Sequence, residues 1–283
     1  VIKSPIAKVE NKFSDIMNFD EIIGKRIDFL GLEQETDSAL RKYLIQGGYF
    51  RYLKETNPLK KTQRIISEII DLAIYKDINL LYNLPNARIL EDILLYVARN
   101  TSEIFETEKA VRLFGGLPAP VLEKYLDYLE TSFLIHSCKD FQAEVSKSPI
   151  SSRKIYFADI GIRNALLGNY SLDLRDVNQI VDNVVYTHLL RIQNTYNFNL
   201  YYWKKGNYIC DLVLNFENHK IPLLIYYKKR QEKSFAKNIL RFFEEENIEK
   251  GIMITKDEFD LMEFESFTIL KLPASYFLLC SSF

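Results

Sequence analysis

The strongest helical signal in the chain runs from Leu59 to Ile74, where Ile65, Ile66, Ile69, Ile70 and Ala73 fall on one face. Ser38–Gln46 predicts an earlier helix, stopped by Gly47-Gly48 because glycine takes the left-handed conformation at little cost. After Pro85, Asn86 can cap a helix whose apolar stripe is Ile89, Leu90, Ile93, Leu94 and Val97. Thr107 caps a short helix to Phe114, which Gly115-Gly116 ends. Pro118 opens another, with Leu122, Tyr125, Leu126, Leu129 and Phe133 on one stripe. Two β-prone runs follow, Leu134-Ile135 and Ile155-Tyr156-Phe157, separated by a polar loop. Helix, short helix, helix, strand, loop, strand is winged-helix order.

Beyond Gly168 the pattern changes. Asp176 and Gln179 form a near capping box ahead of a helix whose buried face is Val177, Ile180, Val181, Val184, Val185, Leu189 and Ile192. Strand-like runs come next at Leu200–Trp203, Tyr208–Leu214 and Ile221–Tyr227, then a helix at Lys233–Asn247. Strands at Gly251–Thr255 and Thr268–Leu270 precede an apolar end at Ala274–Cys280. Three consecutive strands, a crossover helix and another strand predict an α/β domain with a mixed sheet. The expected class is therefore α+β and multi-domain. A remnant or linker at 1–35 leads to a helical segment at 36–85, a winged helix at 86–168 and an α/β unit at 169–283.

Composition narrows the reading without redirecting it. A length of 283 residues is comfortable for two or three domains. No apolar run approaches the eighteen or so residues of a membrane span, and no secretory leader opens the chain, so cytoplasmic is the expectation. Cys138, Cys210 and Cys280 are odd in number and far apart, which argues against a disulfide framework or a zinc site. His136, His188 and His219 are scattered and joined to no metal-ligand pattern. A net charge of −1 restricts any nucleic-acid surface to a local patch. The start at Val1 rather than Met suggests a fragment.

Several segments, read in order, resemble those of one family. Leu44-Ile-Gln-Gly-Gly-Tyr49 looks like its glycine-pair signature, and Tyr125-Leu-Asp-Tyr-Leu-Glu-Thr-Ser-Phe-Leu-Ile135 like its recognition helix and first wing strand. Lys154-Ile-Tyr-Phe-Ala-Asp-Ile-Gly-Ile-Arg-Asn-Ala-Leu-Leu-Gly168 is the closest match. Tyr202-Trp203, Ile209-Cys-Asp-Leu-Val-Leu214, Lys250-Gly-Ile-Met-Ile-Thr255 and Leu272-Pro273 follow in the family's order. In these segments the chain resembles a group of prokaryotic, especially archaeal, P-loop ATPases of the AAA+ class, and the resemblance implies a winged helix followed by a domain of the PD-(D/E)XK, restriction-endonuclease-like fold. It also implies an ATPase core that uses ATP and Mg²⁺. This chain has no GxxxxGK[ST] loop, and Gly24-Lys25 lacks both the upstream glycine and the following hydroxyl. The core, with its ATP and Mg²⁺, is therefore expected upstream, and no cofactor is expected in this chain.

Magnesium nucleases of that fold need an aspartate on one strand and Glu-x-Lys on the next. Asp211 sits at the aspartate position, between Ile209 and Val213, but the Glu-x-Lys positions fall on Leu224-Ile-Tyr226. Sliding the register by two recovers Lys228 and still no acid, while Asp182 matches an acidic position on the preceding helix. Asp182, Asp211 and Lys228 are thus the catalytic candidates of a site that reads as degenerate. A buried Asp211 would need a lysine or a backbone amide as partner.

For nucleic acid, the outward residues of the third helix, Glu123, Lys124, Asp127, Tyr128 and Glu130, have the wrong charge sign. The wing supplies Lys139, Lys147, Arg153 and Lys154, and a second basic cluster supplies Lys228, Lys229, Arg230, Lys233, Lys237 and Arg241. The expectation is a non-catalytic module that binds DNA or protein. Its partners would be DNA, sister subunits or its own ATPase core, and not a membrane. The alternatives are a magnesium nuclease and a stand-alone DNA-binding module.

Overall fold

The computed structural model describes residues 18–26, 29, 31–82, 84, 86–142, 152–172, 175–228 and 241–279. A short helix α1 (Phe19–Gly24) precedes α2 (Glu33–Gln46), which starts five residues before its expected N-terminus. The extra turn carries Glu33 and Glu35 at the positive end of the helix, and the Thr36 hydroxyl donates to the carbonyls of Leu32 and Glu33. Helix α3 (Pro58–Ile65) opens with Asn57 as a side-chain cap and proline in its first turn. It then widens into π-helix over Ile66–Ile70 and Leu72–Ile78 and closes as α4 (Asn79–Tyr82). Helix α5 (Arg88–Arg99), strand β1 (Ile104–Phe105), helix α6 (Thr107–Leu113) and helix α7 (Ala119–Thr131) follow. Next come β2 (Ile135–Asp140), β3 (Arg153–Phe157), α8 (Ile160–Leu167) and α9 (Val177–Tyr196).

The last third holds β4 (Asn199–Lys205), β5 (Tyr208–Asn215), β6 (Lys220–Tyr226), β7 (Lys250–Thr255), β8 (Asp260–Glu263), β9 (Thr268–Pro273) and α10 (Ala274–Leu279). Of the helix expected at Lys233–Asn247, residues 241–246 are helical and residues 233–240 lie outside the described residues. The capping box at Asp176 does not form. The Asp176 carboxylate pairs with Arg163 instead, and Gln179 donates to Glu103 across 2.7 Å.

The described strands form one mixed sheet of nine, in the order β1-β3-β2-β4-β5-β6-β7-β9-β8, so the molecule is α+β. The sheet runs straight through the boundary drawn at residue 168. Strands β2 and β3 pair antiparallel, and β2 then pairs in parallel with β4 through Lys139–Tyr201 and Asp140–Tyr202. Helix α9 lies across β3, β4 and β6 and buries Val181, Val184, Val185 and Leu189. The opposite face, around Trp203, Val213 and Leu224, packs on Phe242 and Phe243. A separate apolar cluster joins α3, α5 and α7 to β2 and β3 through residues such as Ile93, Leu126 and Phe157. None of the described helices is long and apolar enough to cross a membrane.

Candidate functional site

A cleft of about 440 Å³ opens between β1, β3, the N-terminal half of α9 and the β5–β6 pair. Three charged side chains meet in its floor: Lys154, Asp182 and Asp211. Each is aimed by a local feature of its element. On β3, alternation turns Lys154 and Tyr156 toward α9 while Ile155 and Phe157 enter the helical cluster. On α9, the amide of Asn183 fixes the helix against that strand. Its Oδ1 accepts from the Phe157 amide at 2.7 Å and from the Thr101 hydroxyl at 3.0 Å, and its Nδ2 donates to the Phe157 carbonyl at 2.9 Å. Asp182, the preceding residue, is thereby brought over Lys154.

On β5 a bulge does the aiming. Tyr201 pairs with Val213 and Trp203 with Cys210, so β5 advances three residues where β4 advances two. The extra residue removes Asp211 from the face it would share with Val213 in a regular strand, and Val213 packs toward Phe242. The Oδ2 of Asp211 accepts the Ile225 amide of β6 at 2.8 Å, which is the backbone partner expected for it.

The ammonium of Lys154 donates to Asp182 Oδ2 at 3.2 Å and to the Asp211 carbonyl at 3.1 Å, and lies 3.7 Å from Asp211 Oδ1. The second oxygen of Asp182 accepts from the Tyr156 hydroxyl at 3.3 Å, and the Tyr156 ring stacks on Tyr186 at 3.9 Å. Burial pushes the Asp182 carboxyl up to about 7 against the pull of Lys154. Burial also acts to lower Lys154, but Asp182 and Asp211 outweigh it and hold the ammonium above the ordinary lysine range. Burial raises the neighbouring thiol of Cys138 as well, which keeps it a protonated, unreactive neighbour.

The donor set does not fit a divalent cation. Magnesium needs several hard oxygens in open positions, and here Asp182 and Asp211 share an ammonium between them. The adjacent position on β6 is Leu224, an apolar cleft residue, and among the described residues no three His, Cys, Asp or Glu side chains gather. Lys228 does not join the cluster. Its amide donates to Asn178 Oδ1 at 2.7 Å, and the residue is exposed beyond the end of β6. The lysine that serves both acids is Lys154, which sequence reasoning assigned to the wing surface. Its signal was the Lys-Ile-Tyr-Phe alternation, which puts lysine on the same strand face as a core tyrosine.

The cations expected on a DNA-facing surface differ in setting where they fall among the described residues. Lys139 is exposed, Lys154 is 4% exposed, and Arg153 pairs with Glu123. Arg241 bonds Glu245 at 2.8 Å and lies over the Tyr208 ring. Lys147, Lys229, Arg230, Lys233 and Lys237 fall outside the described residues. The outward face expected for α7 is also corrected. Tyr128 is buried, stacked at 3.7 Å under Tyr82, and Glu130 accepts both the amide and the hydroxyl of Ser137. Of that face only Lys124 and Asp127 are exposed, and Glu123 and Glu130 are half-buried.

Residues 37–173 match a family described as a domain of unknown function (DUF8612). An uncharacterized protein of Haemophilus influenzae is 26% identical over 159 residues, covering 55% of this chain and 38% of that protein. An uncharacterized protein of Methanocaldococcus jannaschii is 25% identical over 245 residues, covering 82% of this chain and 53% of that protein. No solved structure matches. The chain thus spans about half or less of the length of the curated relatives it matches, and its cleft falls partly inside and partly beyond the matched domain.

Proposed function

We propose that this chain is a cytoplasmic, non-catalytic docking module, a winged helix joined to a degenerate nuclease-like domain, within a larger ATPase of the AAA+ class. The observation that carries the reading is the ammonium of Lys154 between the carboxylates of Asp182 and Asp211. A nuclease of this fold would put a metal ion beside that aspartate and complete it with Glu-x-Lys, whereas the corresponding positions here are Leu224 and Tyr226. The two acids then serve to hold the junction of β3, α9 and β5 together.

Protein is favoured over DNA as the partner by the state of α7. A reading helix in a DNA groove presents free polar side chains to base edges, but here Glu123 and Glu130 are engaged internally and Tyr128 lies under Tyr82. The covering segment instead exposes Leu72, Tyr75, Leu80 and Leu81. Two measurements test the reading. Nicking of supercoiled plasmid with Mn²⁺ is expected to match the Asp211→Asn background, and cleavage lost in that variant would establish a nuclease. Anisotropy of a labelled duplex is expected to show no binding at low salt. Binding that falls steeply with salt, with a slope of about −0.9 per phosphate contacted, and that is lost on reversing Lys139, Lys228 and Arg241, would make it a DNA-binding module.

A further inference from the structure

Away from the cleft, a cavity of about 150 Å³ lies where α2, α3 and α8 converge. Its walls are partly apolar, from Ile45, Ile65 and Ala165, and partly polar, from Gln46, Thr62 and Asn164. Lys61, in the first turns of α3, also lines it and is 5% exposed. The Lys61 Nζ is closed off from solvent and has no hydrogen-bond partner among the described residues. The carboxylate that acts on it electrostatically is Asp159, but both oxygens of that carboxylate are taken, by the amides of Gly48 at 2.8 Å and Gly161 at 2.7 Å. A buried ammonium left in this state is costly unless something pairs with it. Burial accordingly draws its pKa below the ordinary lysine value.

We propose that this cavity binds a small aliphatic carboxylate, of acetate to butyrate size, with its carbon chain against Ile45, Ile65 and Ala165 and its oxygens on Lys61, whose now covered Nζ turns into the cavity to meet them. The volume has room for several waters and hence for such a molecule. A single cation and half-apolar walls suit a monoanion. Phosphate would need more donors, and Glu55, which also lines the cavity, would repel a dianion. The Glu55 carboxylate, which accepts from the Asn57 amide at 3.0 Å, also repels a monoanion there, more weakly than a dianion.

The test titrates the whole chain with acetate, propionate, butyrate and inorganic phosphate at fixed ionic strength, following the ligand methyl signals by saturation-transfer NMR and phosphate by calorimetry. Saturable binding is expected for the carboxylates, tightening from acetate to butyrate, and none for phosphate. Lys61→Met should weaken it by about tenfold or more, Glu55→Gln should strengthen it, and Lys60→Met, at an exposed neighbour, should change nothing. Absence of saturable carboxylate binding, or binding that Lys61→Met leaves intact, overturns the proposal. Should Lys61→Met not fold, Glu55→Gln decides, and unchanged affinity there overturns it equally.

Discussion

A Cβ placed on Gly47 would stand 2.6 Å from the amide nitrogen of Gly161, so α2 and α8 meet at a distance that a side chain forbids. Gly47 also holds a φ of 70°, in the left-handed region. The same junction is bonded by Asp159, which caps α8 and accepts from Gly48, and by Asn164, whose Nδ2 donates to the carbonyls of Leu44 and Ile45 at 2.9 Å. Gly47→Ala therefore meets a steric and a conformational obstacle at once. It is expected to lose about 3 kcal/mol or more of stability, read as a lower midpoint in urea. Loss under 1 kcal/mol, on the order of an ordinary surface change, would show that the helices slide apart freely.

Lys154→Met leaves Asp182 and Asp211 facing each other without a cation. Breaking a buried pair by removing one partner costs about 3–5 kcal/mol, and this loss is expected at pH 8. The Asp182 carboxyl is already raised to about 7 by burial, and without Lys154 it rises further. Its folded value then lies far above its unfolded one, so the folded state gains a proton and stability as pH falls. The deficit relative to wild type should shrink as pH falls toward 7 and stay level from there to pH 5, where Asp182 takes up the proton in wild type as well; a deficit that does not change above pH 7 would contradict the arrangement.

Asn183 makes three hydrogen bonds with no exposed surface, two of them to the backbone of Phe157. Truncation strands a buried amide and carbonyl at the end of β3. Asn183→Ala is expected to cost about 2–4 kcal/mol, with fast hydrogen exchange at the Phe157 amide. Retained protection of that amide would mean another group accepts it.

His188 is shifted in the opposite sense to Asp182, downward rather than upward. Burial lowers it from 6.5 to about 4, and its Nε2 has no hydrogen-bond partner among the described residues. Arg191 adds repulsion. The unfolded chain therefore takes up the proton first as pH falls. The stability difference between wild type and His188→Phe should be flat above pH 6.5 and move against wild type by up to about 3 kcal/mol toward pH 4. A flat difference throughout would mean that His188 is hydrated in the folded state.

Much of this architecture is visible in the sequence because burial and periodicity coincide. The stripe of Leu90, Ile93, Leu94 and Val97 and the run of Val181, Val184 and Val185 each mark a helix that packs on one face. The glycine pair at Gly47-Gly48 and the segment around Asp159 were legible as separate signals, and their meeting was not, since nothing local encodes a contact across so much chain. Strand β8 escaped notice because Asp260-Leu-Met-Glu263 is short and lies at the sheet edge, with half its residues charged. At the cleft, Asp182 and Asp211 could be picked out as acids on buried elements. The bulge that turns Asp211 and the pairing that brings Lys154 to it depend on register, which the residues of one strand do not reveal.

The parallel pairing of β2 with β4 has a mechanical consequence. Because the hydrogen bonds at Lys139–Tyr201 and Asp140–Tyr202 continue the sheet from one half of the molecule into the other, a tilt applied to α5 or α7 is passed along β3 and β2 as along a plank. The plank ends beneath the cleft floor, where Lys154 and Asp211 ride on strands three places apart in the sheet. A push on the helical half would thus reach the ion cluster as a change in distance between its members.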